Sequence, residues 1–179
     1  MRIGLVSDSH GKRRKLRAAL DVLAARGVEA VVHCGDICGT RSLHILASTG
    51  IPTWLVAGNM DRDLLHQLET MTRDTSITFW YSTVEVPLGN DRYLVATHGD
   101  NEDLLDELIR GQRFPYVCHG HTHRARDLRI GDVRVICPGA ITGPRHPAVA
   151  TVAILDTEAD SLVYYDIAQP DRSVQIAEA

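Results

Sequence analysis

The sequence predicts an α/β sandwich, two mixed β-sheets packed face to face with helices outside. Two observations lead there. Through the first half, short apolar runs alternate with helical patterns, which implies parallel strands with right-handed crossovers. In the second half, strands follow one another across tight turns. A chain of 179 residues suits one compact domain with a genuine core. No linker, internal repeat or low-complexity tract divides it, so residues 1–179 are read as a single domain.

The elements follow in order. Residues 2–7 read as a buried strand. Residues 12–26 carry Leu16, Ala19, Leu20, Leu23 and Ala24 at helical spacing, with Gly27 as the stop. Residues 30–33 form a second strand, 40–48 a second helix and 52–57 a third strand. Residues 61–73 resume a helix through Leu64, Leu65, Leu68 and Met71. Residues 79–86 and 92–97 are strand-like and meet around Gly89-Asn90-Asp91. A helix over 101–110 and a strand over 115–118 come next. Strands at 127–130 and 133–137 turn at Gly131-Asp132, and strands at 149–155 and 161–167 complete the pattern.

Composition narrows the function classes. Hydrophobic residues make up 44% and charged residues 23%, ordinary globular usage. A net charge of −4 argues against a protein living mainly on nucleic acid. No apolar run approaches the roughly 20 residues that span a bilayer, and the N-terminal segment turns polar at Ser7. The four cysteines, Cys34, Cys38, Cys118 and Cys137, are too scattered for a disulfide framework and read as buried thiols. The expectation is a cytoplasmic protein.

Metal-capable residues cluster just past the carboxyl ends of five strands. These loops carry Asp8-x-His10, Gly35-Asp36, Gly58-Asn59, His98-Gly99 and Gly120-His121-Thr122-His123. Ligands in open α/β sheets bind beyond the carboxyl ends of strands, so five such loops can converge on one site. Carboxylates and imidazoles together suit borderline divalent ions such as Mn, Fe, Ni or Zn. In an extended segment, the alternate spacing of Asp8 and His10, or of His121 and His123, points both side chains one way. Each motif alone is weak, because Gly-Asp is usually a turn. Five in order are hard to attribute to turn chemistry.

This ordered set resembles the calcineurin-like metallophosphoesterase superfamily, from residue 1 to about residue 147. The short length and the segment from Cys137-Pro138-Gly139 to Pro144-Arg145 are similar to its small YfcE-like phosphodiesterase branch. The resemblance implies a four-layer αββα sandwich and two divalent metal ions. One would be held by Asp8, His10, Asp36 and His123. The other would be held by Asp36, Asn59, His98 and His121, with Asp36 bridging. It implies hydrolysis of phosphodiesters, with phosphomonoesters second, by a hydroxide bridging the two ions. Asp36 and Asn59 would be catalytic, and Asn59 and His98 would contact the substrate, a small phosphorylated molecule. Manganese is the expected ion, and a homo-oligomer fits the resemblance.

Two departures bear on chemistry. Many members carry His after the Asn, where this chain has Met60, and a second His where it has Asp100. Met60 donates no proton, and Asp61 loses its usual partner. General acid help is worth about 10²–10⁴-fold, so the chain is expected to favour good leaving groups and phosphodiesters. His33 and His119 read as supporting or packing groups, His44, His66 and His146 receive no chemistry, and Lys12 to Lys15 read as the solvated start of a helix. The alternative is a phosphoesterase-fold scaffold without turnover, which would be expected to have lost some ligands. A nuclease would need a broad basic groove that the acidic balance does not suggest.

Overall fold

The computed structural model describes residues 1–176. One sheet has seven strands in the order β12-β11-β10-β1-β2-β3-β4. These are β1 (Arg2–Val6), β2 (Ala30–His33), β3 (Thr53–Val56), β4 (Ile77–Trp80), β10 (Thr151–Asp156), β11 (Ser161–Asp166) and β12 (Ser173–Val174). The other has five in the order β5-β6-β7-β9-β8. These are β5 (Thr83–Gly89), β6 (Arg92–Thr97), β7 (Tyr116–Cys118), β8 (Ala125–Ile130) and β9 (Val133–Pro138). Both sheets are mixed. β1 to β4 run parallel while β10 joins β1 antiparallel. In the second sheet, β6, β7 and β9 are parallel, flanked by antiparallel β5 and β8.

Three apolar layers hold the sandwich together. Ile3, Leu5, Val32 and Val56 of the first sheet meet Val86, Leu94, Ala96 and Ile136 of the second, forming the core between the sheets. On the first sheet's outer face lie α1 (Arg13–Ala24), α2 (Thr40–Ala47) and α3 (Leu65–Thr72), burying Leu16, Leu20, Leu23, Leu46 and Leu68 against Val6, Val31 and Leu55. On the second sheet lies α4 (Glu102–Arg110), whose Ile109 packs against Val95, Val117 and Val135. The result is the αββα arrangement the resemblance implies. Leu16 is fully buried, so truncating it to Ala costs about 2–5 kcal/mol.

The caps of the helices differ in kind. Asn101 Oδ1 accepts the Leu104 N–H at 3.1 Å, with Glu102 and Asp103 in the first turn and Arg110 in the last, so α4 is capped and matched to its dipole. Helix α1 has no side-chain cap, and Lys12 to Lys15 are exposed at its start. Burying five apolar side chains holds it instead.

Two expectations need correction. Residues 79–86 are not one strand. Phe79 and Trp80 end β4, paired parallel with Leu55 and Val56, and the chain then crosses at Tyr81-Ser82 to open the second sheet as β5. The helix read over 61–73 begins as a 3-10 segment, Asn59–Leu64, and becomes α-helical at Leu65. Asp61 accepts the Gly58 N–H at 2.9 Å, which tightens that first turn.

Candidate metal centre

Every one of the five strand ends delivers its residues to one place. β1 leads to Asp8 and His10, β2 to Asp36, β3 to Asn59, β6 to His98 and β7 to His121 and His123. On one side, His10 Nε2 lies 3.3 Å from His123 Nε2, 3.8 Å from Asp8 Oδ1 and 3.8 Å from Asp36 Oδ2. On the other, His98 Nε2 lies 3.5 Å from Asp36 Oδ1 and 3.1 Å from Asn59 Oδ1, and His121 Nδ1 lies 3.1 Å from the same Asn59 oxygen. The two oxygens of Asp36 thus face the two histidine groups. Asp8 also reaches both, since potential donor atoms of Asp8, Asp36 and His98 fall within 4.8 Å of one another, as do those of Asp8, His10 and His123. Only Asp36 was expected to be shared.

The backbone delivers them differently from the extended geometry expected of Asp8-x-His10 and His121-x-His123. Asp8 (φ 54), His10 (φ 45), Asp36 (φ 54), His121 (φ 63) and His123 (φ 58) all occupy the left-handed region. Side chains two apart converge because the loop coils, not because it extends. Such conformations persist only where the surroundings impose them. The loops are locked together: the Asp8 N–H bonds Gly35 O at 3.1 Å, and the His10 N–H bonds Asp36 O at 2.9 Å. Gly58 and Gly120 permit the close approach. A Cβ on Gly58 would lie 2.1 Å from Asp36 Oδ1, and one on Gly120 would lie 2.0 Å from Ser7 Oγ.

Neighbouring groups orient the imidazoles. Carbonyl oxygens only accept, so His98 Nδ1–H donates to Cys34 O at 2.8 Å and His123 Nδ1–H donates to Gly143 O at 2.8 Å. Each Nε2 is thereby turned inward, toward Asp36 at 3.5 Å for His98 and toward Asp8 at 3.2 Å for His123. Three further residues support this frame: Cys38, expected only as a buried thiol, Gly143, given no role, and Asp61, expected to lack its usual partner. Cys38 Sγ lies 3.6 Å from His10 Nδ1, half-buried rather than buried, and burial followed by the charges of Asp61 and Asp36 pushes its thiol up to about 12. Gly143 sits in the loop after β9, where Ile141 N–H and Thr142 Oγ1 also bond Ser7 O and Ser9 O. Asp61 is not left without a partner: its buried carboxylate accepts from the N–H groups of Ile37, Cys38 and Gly58. Burial nevertheless raises its pKa.

Electrostatics fit the same picture. Burial opposes charge on His98, yet hydrogen bonding to Asp36 and Cys34 pushes its imidazole up to about 9. Burial also works against Asp36, but His98 and the Met60 N–H hold its carboxyl below the usual range. The Asp8 carboxylate raises His123. His33 and His119 are driven down to about 4 by burial and stay neutral; His33 Nε2 meets Ser9 Oγ at 3.1 Å.

The donor set suits divalent cations. Among the described residues, Asp8 Oδ1 is buried with no hydrogen-bond partner, and the Nε2 atoms of His10 and His123 face it at 3.8 and 3.2 Å. A buried polar atom without a partner costs about 1–3 kcal/mol, more for a charge. A cation removes that cost, and imidazole, carboxylate and amide donors match borderline divalent ions.

A family model described as the calcineurin-like phosphoesterase superfamily domain matches residues 1–160. The chain belongs to that superfamily. It is therefore placed among the hydrolases acting on phosphoric ester bonds, whose metallophosphoesterases use divalent ions. A phosphodiesterase of Methanocaldococcus jannaschii is 30% identical over 161 residues, 88% of this chain and 94% of that protein. A solved archaeal phosphodiesterase superposes with a TM-score of 0.79 at 27% identity, covering 93% of this chain and 99% of its own. YfcE, a phosphoesterase from E. coli, shares the fold, with a TM-score of 0.72 at 20% identity over 98% and 97% of the two chains. Among the described residues, no helix is long and apolar enough to cross a membrane.

Proposed function

We propose that the chain is a binuclear metallophosphodiesterase, with Asp8, His10, Asp36 and His123 holding one ion and Asp36, Asn59, His98 and His121 the other. The observation that carries the reading is the convergence of seven metal-capable side chains in two adjoining groups, with a buried Asp8 oxygen that no group among the described residues satisfies. When bound, two divalent ions supply a water nucleophile at neutral pH, neutralise phosphate charge and align attack with departure.

The protein's own groups do the remainder. Asp36 spans both histidine groups and fixes their separation, its Oδ1 braced by the Met60 N–H at 2.9 Å. Asn59 turns its carbonyl oxygen to His98 and His121, which leaves its amide nitrogen to donate to a phosphate oxygen. His98, almost fully buried beneath Asn59, sets the position of that contact. Met60 is 59% exposed beside Asn59 and offers no proton to a leaving group, which favours low-pKa leaving groups and diesters over alkyl monoesters. The similarity to phosphodiesterases supports the same preference. Manganese is the ion we propose, on a donor set dominated by oxygen and imidazole. The four unpaired cysteines support a reducing, cytoplasmic setting.

The test is a metal-titrated assay under Mn, Ni and Fe(II) with bis(4-nitrophenyl) phosphate and 4-nitrophenyl phosphate. Diester hydrolysis is expected to exceed monoester hydrolysis and to vanish in a folded Asp36→Asn protein. Full activity in that variant, or none in the unaltered protein under any ion, sinks the proposal.

A further inference from the structure

A cavity of about 260 Å³ opens beside the metal centre on its His98 side. Its floor is formed by Gly58, Thr97 and His98, where β3 and β6 end. Its walls come from Arg62 and Leu65, from Tyr81 at the crossing between the sheets, and from Asp100 and Leu104 at the start of α4. A larger cavity of about 780 Å³ lies against β8, β11 and β12, but none of the seven candidate ligands lines it, so size alone does not mark the substrate's place.

We propose that the smaller cavity seats one ring-bearing ester arm of the phosphodiester, an uncharged aryl or heteroaryl group. This rests on the phosphodiesterase reading above. Three observations support it. Sites for whole drug-sized ligands run from about 300 Å³ upward, so this one suits a single ring system with the phosphate outside it, at the metals. Its surfaces suit a flat ring. Leu65 and Leu104 are apolar, and the Tyr81 ring is held on two sides, by its hydroxyl donating to Glu69 Oε2 at 2.6 Å and by an edge contact to Phe79 at 5.6 Å between centroids. The guanidinium of Arg62 offers a second plane for stacking. Finally, away from the His98 floor, the charged groups of the rim offset each other: Arg62 and Asp100 pair at 3.1 Å. A charged arm would have to break that pair, and an uncharged one would not.

The experiment uses the manganese-loaded protein and reads two quantities, KM for bis(4-nitrophenyl) phosphate and inhibition by inorganic phosphate, which carries no ring. Leu104→Trp fills the cavity and Tyr81→Leu removes the stacking surface; each is expected to raise KM about three- to tenfold. Phosphate inhibition and bound manganese should stay as in the unaltered protein. Tyr81→Phe keeps the ring and is expected to recover most of the loss. An unchanged KM in both Leu104→Trp and Tyr81→Leu, with phosphate inhibition intact, overturns the seat and leaves the metal reading standing. An unaltered protein that neither binds manganese nor hydrolyses the diester overturns both.

Discussion

His10 Nε2 stands 3.3 Å from His123 Nε2, and the buried, unpartnered Asp8 Oδ1 lies 3.8 Å from the first and 3.2 Å from the second. Three acceptors so placed repel one another unless a cation or a proton stands among them. Divalent metal is therefore expected to raise the melting temperature of EDTA-treated protein. At a hundredfold excess over Kd the gain is about 2.7 kcal/mol, which for this size is a shift of about 5–10 °C. Cys38→Ala, which removes the sulfur beside His10 Nδ1, should weaken manganese binding about tenfold, measured by isothermal titration. A melting temperature indifferent to manganese would count against the whole centre.

Asp61→Asn tests the frame rather than the ligands. The substitution places an amide N–H against one of three backbone N–H groups that now donate to the carboxylate, at 3.1, 2.8 and 2.9 Å. Expected is a loss of about 2–4 kcal/mol in denaturant unfolding, with reduced metal content. Unchanged stability would mean the Asp36 and Asn59 loops hold their shape without it.

The buried histidines give a pH dependence with a definite sign. His33 and His119 titrate near 4 in the folded protein because burial disfavours their charged forms, and near 6.5 when unfolded. Between those values the unfolded chain binds more protons, so the stability they contribute is complete above pH 6.5 and is lost as pH falls towards 4. In EDTA, His33→Gln and His119→Gln should each flatten the fall of melting temperature over that window. Parallel curves for variant and unaltered protein would refute it.

Met60→His introduces a proton donor at the rim. Turnover of an alkyl-leaving substrate is expected to rise about 10²-fold, the lower end of general acid help, with little change for a 4-nitrophenyl diester. Equal effects on both would show that leaving-group protonation is not what Met60 limits.

Much of this was legible in the sequence. Apolar periodicity located β1, β2, β3 and α1, and once those strand ends were known, the motifs at their exits fell on one edge of the sheets. What resisted reading was decided by distant contacts. Tyr81-Ser82 carries no Gly or Pro, so the passage between sheets is invisible until β4 is seen to pair with β3. Strand β12 is two residues long and exists by pairing with Tyr164 and Tyr165. Cys38 reaches His10, and Asp61 reaches Ile37, because the coiled loops that follow the adjacent strands β1, β2 and β3 meet. No spacing rule anticipates that.

That coiling has a consequence for how the centre can be altered. Asp, Asn and His are among the few side chains that tolerate left-handed backbone, and they are also the ones that bind such ions. At Asp8, His10, Asp36, His121 and His123, shape and coordination therefore draw on the same short alphabet. Alanine at any of them changes two properties at once, whereas Asn at Asp8 or Asp36 keeps the bend and alters the charge alone. Cut out as a peptide, or moved to a scaffold that does not enforce the bend, Asp-x-His would carry the right letters and present them in the wrong direction.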